Sequence, residues 1–133
     1  MRHNKKQPKF SRASDHRRSL FRNLMSSLLL HGSLITTDAK ARELKRRADI
    51  LIGMARKGTL HLRRLCAGEV FGAEALQALF DRWGKAYPNR ISGFTRMVKI
   101  GQRHGDAAPM TMIELIQEKT ETPKASKEKV ETA

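Results

Sequence analysis

Cysteine is nearly absent from this 133-residue chain, where Cys66 stands alone. A single thiol excludes an internal disulfide and fits a reducing compartment. Aromatics are scarce too: five Phe, one Trp and one Tyr are too few for a platform on which single strands stack. No apolar run approaches the length that crosses a bilayer, Leu28-Leu29-Leu30 being far too short. The positive N-terminus opens as a signal peptide does, yet no apolar segment follows it within the arm. A cytosolic protein with no membrane insertion is the expectation.

Acids are the scarcity that matters most. Asp and Glu number 13 against 27 Lys and Arg, for a net charge of +14 and a pI near 10.8. Such an excess points to nucleic acid or an anionic surface and says nothing about fold. Its distribution is more informative. Residues 1–64 hold 17 of the bases and four acids, residues 65–117 six and five, and residues 118–133 four of each. The charge belongs to the front half.

Within that half, Met1 to Arg22 carries eight bases (Arg2, Lys5, Lys6, Lys9, Arg12, Arg17, Arg18, Arg22) against Asp15 alone. Up to Ser14 almost nothing is apolar, so residues 1–14 form an arm without a core of their own. Beyond it the chain reads as elements. Ser14 or Asp15 caps a helix to about His31, stopped by Gly32, with Leu20, Phe21, Leu24, Met25 and Leu28 inward and Ser26 outward. His31 falls near the apolar stripe, as a core or capping histidine. Ser33–Thr37 is a short strand, and Thr37 caps a second helix running to Lys57 before Gly58. That helix buries Ala41, Leu44, Ala48, Leu51, Ile52 and Ala55. Beside them Arg42, Lys45, Arg46 and Arg56 make a basic stripe relieved only by Asp49, which points to a phosphate-facing surface.

A third helix starts at Thr59 with Leu62, Leu65 and Cys66 inward and Arg63 and Arg64 outward. Gly68 and Gly72 bracket a break, and a fourth helix carries Ala73, Leu76, Leu79, Phe80 and Trp83 up to Gly84. After a turn at Tyr87-Pro88-Asn89, Phe94–Ile100 and Met110–Ile116 are strands joined by a long hairpin loop. The fold class is therefore α+β: an α-β-α-α-α-β-β two-layer domain over residues 15–117, helices packed on a small mixed sheet. Residues 118–133, low in apolar content and balanced in charge, are expected to be a disordered tail.

No enzyme chemistry stands out. The five histidines show no metal-ligand spacing, and no phosphate-cradling glycine run occurs. Cys66, on an apolar face, is a structural thiol. Asp106 and Glu114 are the carboxylates a magnesium nuclease would need, but Asp106 sits in a glycine-rich loop where turn-making explains it. No catalytic residue, metal, cofactor or small-molecule substrate is assigned. Binding to a polyanion by shape and backbone is left, with RNA and DNA alike open to a basic arm.

Several segments carry a more specific signal: Met1-Arg2-His3, Ser14-Asp15-His16-Arg17, Arg22-Asn23-Leu24, Ile35-Thr36-Thr37, Lys40-Ala41-Arg42-Glu43-Leu44, Gly93-Phe94-Thr95-Arg96, Arg103-His104-Gly105-Asp106-Ala107-Ala108-Pro109-Met110 and Ile113-Glu114-Leu115. In this order, over residues 1–117, they resemble the bacterial-type ribosomal large-subunit protein family number seventeen. The chain departs from the family at Lys9-Phe10-Ser11, across Gly58 to Gly72, and at Ser92-Gly93, where the family has two glycines. The resemblance implies a structural, non-enzymatic constituent of the large ribosomal subunit that supports translation, its partners large-subunit ribosomal RNA and neighbouring ribosomal proteins. By this reading Arg2, His3, Lys5, Lys6, Lys9, Arg12, His16, Arg17, Arg18 and Arg22 engage RNA, joined by the stripe Arg42, Lys45 and Arg46. Arg96, Arg103 and His104 on the hairpin are second-tier candidates. A DNA-binding, nucleoid-type protein is the alternative.

Overall fold

A computed structural model describes residues 8–117. Arg2, His3, Lys5 and Lys6 and the expected tail of residues 118–133 lie outside the described residues.

Helix α1 (Ser14–His31) forms where apolar residues recur every three or four positions, and it buries Phe21, Met25, Leu28 and Leu29. Gly32, at φ +80°, ends it by turning its N–H onto the Leu28 carbonyl at 2.8 Å. The Leu29 carbonyl, also in the last turn and so without a helical donor, takes the indole N–H of Trp83 at 2.8 Å. The chain passes straight into strand β1 (Ser33–Thr37) and then helix α2 (Asp38–Lys57), whose buried Ala41, Leu44, Ala48, Leu51, Ile52 and Ala55 face the core. Helix α3 (Leu60–Glu69) is attached more lightly, with only Cys66 fully buried. Burial, and then the nearby Glu69 charge, push the Cys66 thiol up, which leaves it protonated and inert.

Helix α4 (Ala73–Ala78) runs on into a single π-helical turn over Leu79–Trp83, closed by the Gly84 N–H on the Leu79 carbonyl at 2.7 Å. The wider turn brings Leu79, Phe80 and Trp83 inward together. Trp83 stacks on Tyr87 (centroids 6.5 Å) and Tyr87 packs on Phe94 (4.9 Å). This irregular stretch is therefore core. The last elements among the described residues are the hairpin strands β2 (Thr95–Gln102) and β3 (Pro109–Leu115), with a bulge between Lys99 and Gly101.

The fold is α+β in the expected element order, helices on one face of a three-stranded sheet ordered β1-β3-β2. The expected mixed sheet is instead antiparallel throughout. β3 sits centrally and opposes both neighbours; β1 and β2 run the same way but occupy opposite edges and never bond. Alternation along the strands sends Thr111, Ile113 and Leu115 inward and leaves Ile35, Val98 and Ile100 exposed.

Local expectations are corrected at Ser26, Leu65, Gly68 and the start of α1. Ser26 is buried, because its hydroxyl accepts the Phe71 N–H at 2.8 Å and lies within donating distance of the Arg22 and Phe71 carbonyls. Leu65 is exposed, since α3 turns only its Cys66 edge to the core. Of the two places expected for His31, the core is excluded because it is exposed, and its position in the last turn of α1 suits the negative helix terminus. Gly68 lies inside α3, and the break falls at Val70 to Gly72. Neither Ser14 nor Asp15 caps α1, whose N-cap is Ala13, and Thr37 holds the N-cap place of α2 without a side-chain hydrogen bond. Thr59 does cap α3, accepting the Leu62 N–H at 3.4 Å.

Candidate nucleic-acid interface

Three groups of cations were singled out from the sequence, and the fold treats them differently. The first runs from the end of the arm onto α1. Lys9, His16 and Arg18 are exposed and Arg17 is half-buried, and none takes an ion pair among the described residues. Arg12 donates from Nη1 to the Phe10 carbonyl at 3.1 Å. Arg22 belongs to the scaffold: Nη2 donates to the Val70 carbonyl at 3.2 Å, and the guanidinium lies 5.8 Å from the Phe71 ring centroid. It ties α1 to the α3–α4 break. From Lys9 to Arg22, five Lys and Arg face Asp15 alone, so most of this charge is uncompensated.

The second group, on α2, is largely neutralised from within. Arg42 pairs with Asp38 at 2.6 Å, and Asp38 also accepts the Thr111 hydroxyl at 3.1 Å. Arg46 reaches Glu43 at 2.8 Å, and Arg47 bridges Glu43 at 3.0 Å and Glu69 at 3.6 Å. Burial works to raise the Glu43 carboxyl, but hydrogen bonds and charge from Arg46 and Arg47 outweigh it and hold the group below its ordinary value. The expectation that Asp49 alone relieves this stripe is corrected. The acids one helical turn before each arginine do so, while Asp49 turns away and accepts the Phe94 N–H at 3.0 Å. Lys45 takes no ion pair among the described residues.

The third group, on the hairpin, is similar. Arg96 pairs with Glu114 across the strands. Arg103 clasps Asp106 through Nε at 3.0 Å and Nη2 at 2.6 Å. These bonds, with the Ala108 N–H, hold the Asp106 carboxyl down at about 2. His104 is exposed beside them. Asp106 and Glu114 are thus both engaged by arginine, and no cluster of three His, Cys, Asp or Glu able to hold a metal occurs among the described residues. No helix there is long and apolar enough to cross a membrane.

Other cations outside these three groups, and Arg56 of the basic stripe, also have places. Arg47 lies over Phe21 at 4.6 Å, Arg63 over Phe80 at 5.2 Å and Arg82 over Trp83 at 4.5 Å. Arg56 donates to the Pro88 carbonyl at 3.0 Å. Helical spacing would have found the Arg47–Glu43 pair. The stacking of Arg63 and Arg82 depends on the π-turn and on α3 docking, and that of Arg47 on α1 lying against α2, none of which spacing reveals.

Among the described residues, the start of α1 therefore carries a run of cations without carboxylate partners, whereas Arg42, Arg46, Arg96 and Arg103 are held by acids of the same chain. Comparison with known sequences agrees with the residue pattern. Residues 20–116 match the family model for ribosomal protein L17. The chain is 44% identical over 129 residues to the large ribosomal subunit protein bL17 of Syntrophobacter fumaroxidans, covering 97% of this chain and 85% of that one. It is 41% identical to the protein of the same name from Pelobacter propionicus, covering 96% and 99%, and 44% identical to that of Desulforapulum autotrophicum, covering 87% and 97%. With a family model spanning most of the chain and relatives aligned nearly end to end, this chain belongs to the ribosomal protein L17 family.

Proposed function

We propose that the protein is a structural, non-enzymatic constituent of the large ribosomal subunit in the cytoplasm, and that it binds and helps fold ribosomal RNA. Family membership supports the ribosomal role. The observation that carries RNA binding is the patch of Lys9, Arg12, His16, Arg17 and Arg18, basic and without carboxylate partners among the described residues. Phosphates supply the missing counter-charge, and releasing their counterions drives association. RNA segments that repel one another can then pack on a shared cation. Arg2, His3, Lys5 and Lys6 extend the patch along the sequence. Lys45 and His104 lie with the paired arginines, which keep outward N–H groups for further phosphate contacts. In this reading residues 1–14 are the arm, residues 15–117 the scaffold that aims it, and the remaining surface meets neighbouring ribosomal proteins.

The test is binding of the full chain to a large-subunit ribosomal RNA transcript at several salt concentrations. The double variant Arg17→Gln/Arg18→Gln should bind more weakly, and the slope of log affinity against log salt should become shallower by roughly 1.5–2. Unchanged affinity and slope would remove these residues from the interface. Equal competition by duplex DNA would favour the DNA-binding alternative.

A further inference from the structure

The backbone is most unusual at Lys9-Phe10-Ser11, just before α1. Phe10 and Ser11 both adopt left-handed conformations, at φ +56° and +51°. Residues with a Cβ disfavour this region, and two in succession persist only where surrounding contacts enforce them. The contacts are present. The Phe10 ring meets Phe21 edge-on, with centroids 5.4 Å apart and planes at 60°. Arg12 closes the turn with its backbone N–H on the Lys9 carbonyl at 3.2 Å and its Nη1 on the Phe10 carbonyl at 3.1 Å. Phe21 is itself fixed, being buried in α1 with the Arg47 guanidinium over its ring, and Arg47 is held by Glu43. The turn at Phe10 is thus bonded through Phe21 to α2.

A turn that served only to cover Phe21 would not need a strained backbone. What this turn does is fold the chain at Lys9 and Phe10 back onto α1, the helix that carries Arg17 and Arg18. Resting on the RNA-binding reading above, we propose that Phe10 is a positioning residue. Its contact with Phe21 holds Lys9 next to the α1 patch, so that this cation need not be ordered when RNA binds.

Full-length Phe10→Ala and Phe10→Tyr test this with the same RNA transcript. Phe10→Ala should bind about fivefold more weakly, the entropic cost of a released segment. Every cation is still present, so the salt slope should not change. Backbone order at Lys9, measured by NMR relaxation in the free protein, should fall in Phe10→Ala, and Phe10→Tyr should restore both order and affinity. Unchanged affinity in Phe10→Ala overturns the proposal, whatever happens to Lys9. So does an affinity loss that tracks a fallen melting temperature and is not rescued by Phe10→Tyr, because the residue would then be structural only. The Arg17→Gln/Arg18→Gln variant separates the failures: if it weakens binding while Phe10→Ala does not, only the anchor is wrong. If neither variant matters, the RNA-binding reading fails as well.

Discussion

Glu43 offers the sharpest test of how the basic face of α2 is held. The residue is 7% exposed, yet its carboxylate takes hydrogen bonds from Arg46 at 2.8 and 3.3 Å and from Arg47 at 3.0 Å. Glu43→Gln keeps the shape and removes the charge. The Arg46 side chain is 50% exposed, so water replaces much of what it loses, and that pair counts for little. Arg47, at 22% exposure, is stacked on Phe21 and cannot swing out freely. A hydrogen bond to a charged group contributes about 1.5–3 kcal/mol, so Glu43→Gln should destabilise the protein by about 2 kcal/mol. For a chain of this size that is a fall in melting temperature of roughly 8 °C, readable by circular dichroism at pH 7. The pH dependence gives a second check. The folded-state value of Glu43 lies below the ordinary 4.5. Its contribution is therefore fully present above that pH and is lost as pH falls through the depressed value. The gap between wild type and Glu43→Gln should close on acidification. Equal melting temperatures at pH 7, or a gap that stays constant down to acid, would refute the account.

Two other sites give independent checks. Trp83→Phe keeps a buried ring but strips the donor from the Leu29 carbonyl, and urea unfolding should show a loss of about 1–3 kcal/mol; a change within error would mean that water satisfies that carbonyl. The Asp106 carboxyl should titrate by NMR at about 2, and Arg103→Gln should return it towards 3.8. A native midpoint already near 3.8 would show that the hairpin-tip pair does not form in solution.

Much of this was legible in the linear pattern. The stripe Phe21, Met25, Leu28 on α1 and Ala41, Leu44, Ala48, Leu51, Ile52, Ala55 on α2 follow helical spacing, and all are buried. Gly32 and Gly58 end their helices at positive φ, as glycine after an apolar run suggests. What was missed depends on contacts far apart in sequence. Ser26 is inside because Phe71, 45 residues away, bonds to it. Asp49 is lost to the basic stripe because it caps the Phe94 N–H, another contact spanning 45 residues. Phe10, set in an otherwise polar arm, finds its aromatic partner only when the turn folds back onto α1.

The sequence alone determined the element order, the inward faces of the two long helices and the concentration of positive charge in the front half, because periodicity and net charge are properties of neighbouring residues. Tertiary structure decided which of those charges remain available. The Arg96–Glu114 pair needs two strands in register, the Arg47–Glu69 pair needs α3 docked beside α2, and Arg22 is drawn into the scaffold by the Val70 carbonyl. A guanidinium counts the same in every sum of charge, but only the fold determines whether the acid facing it belongs to the protein itself.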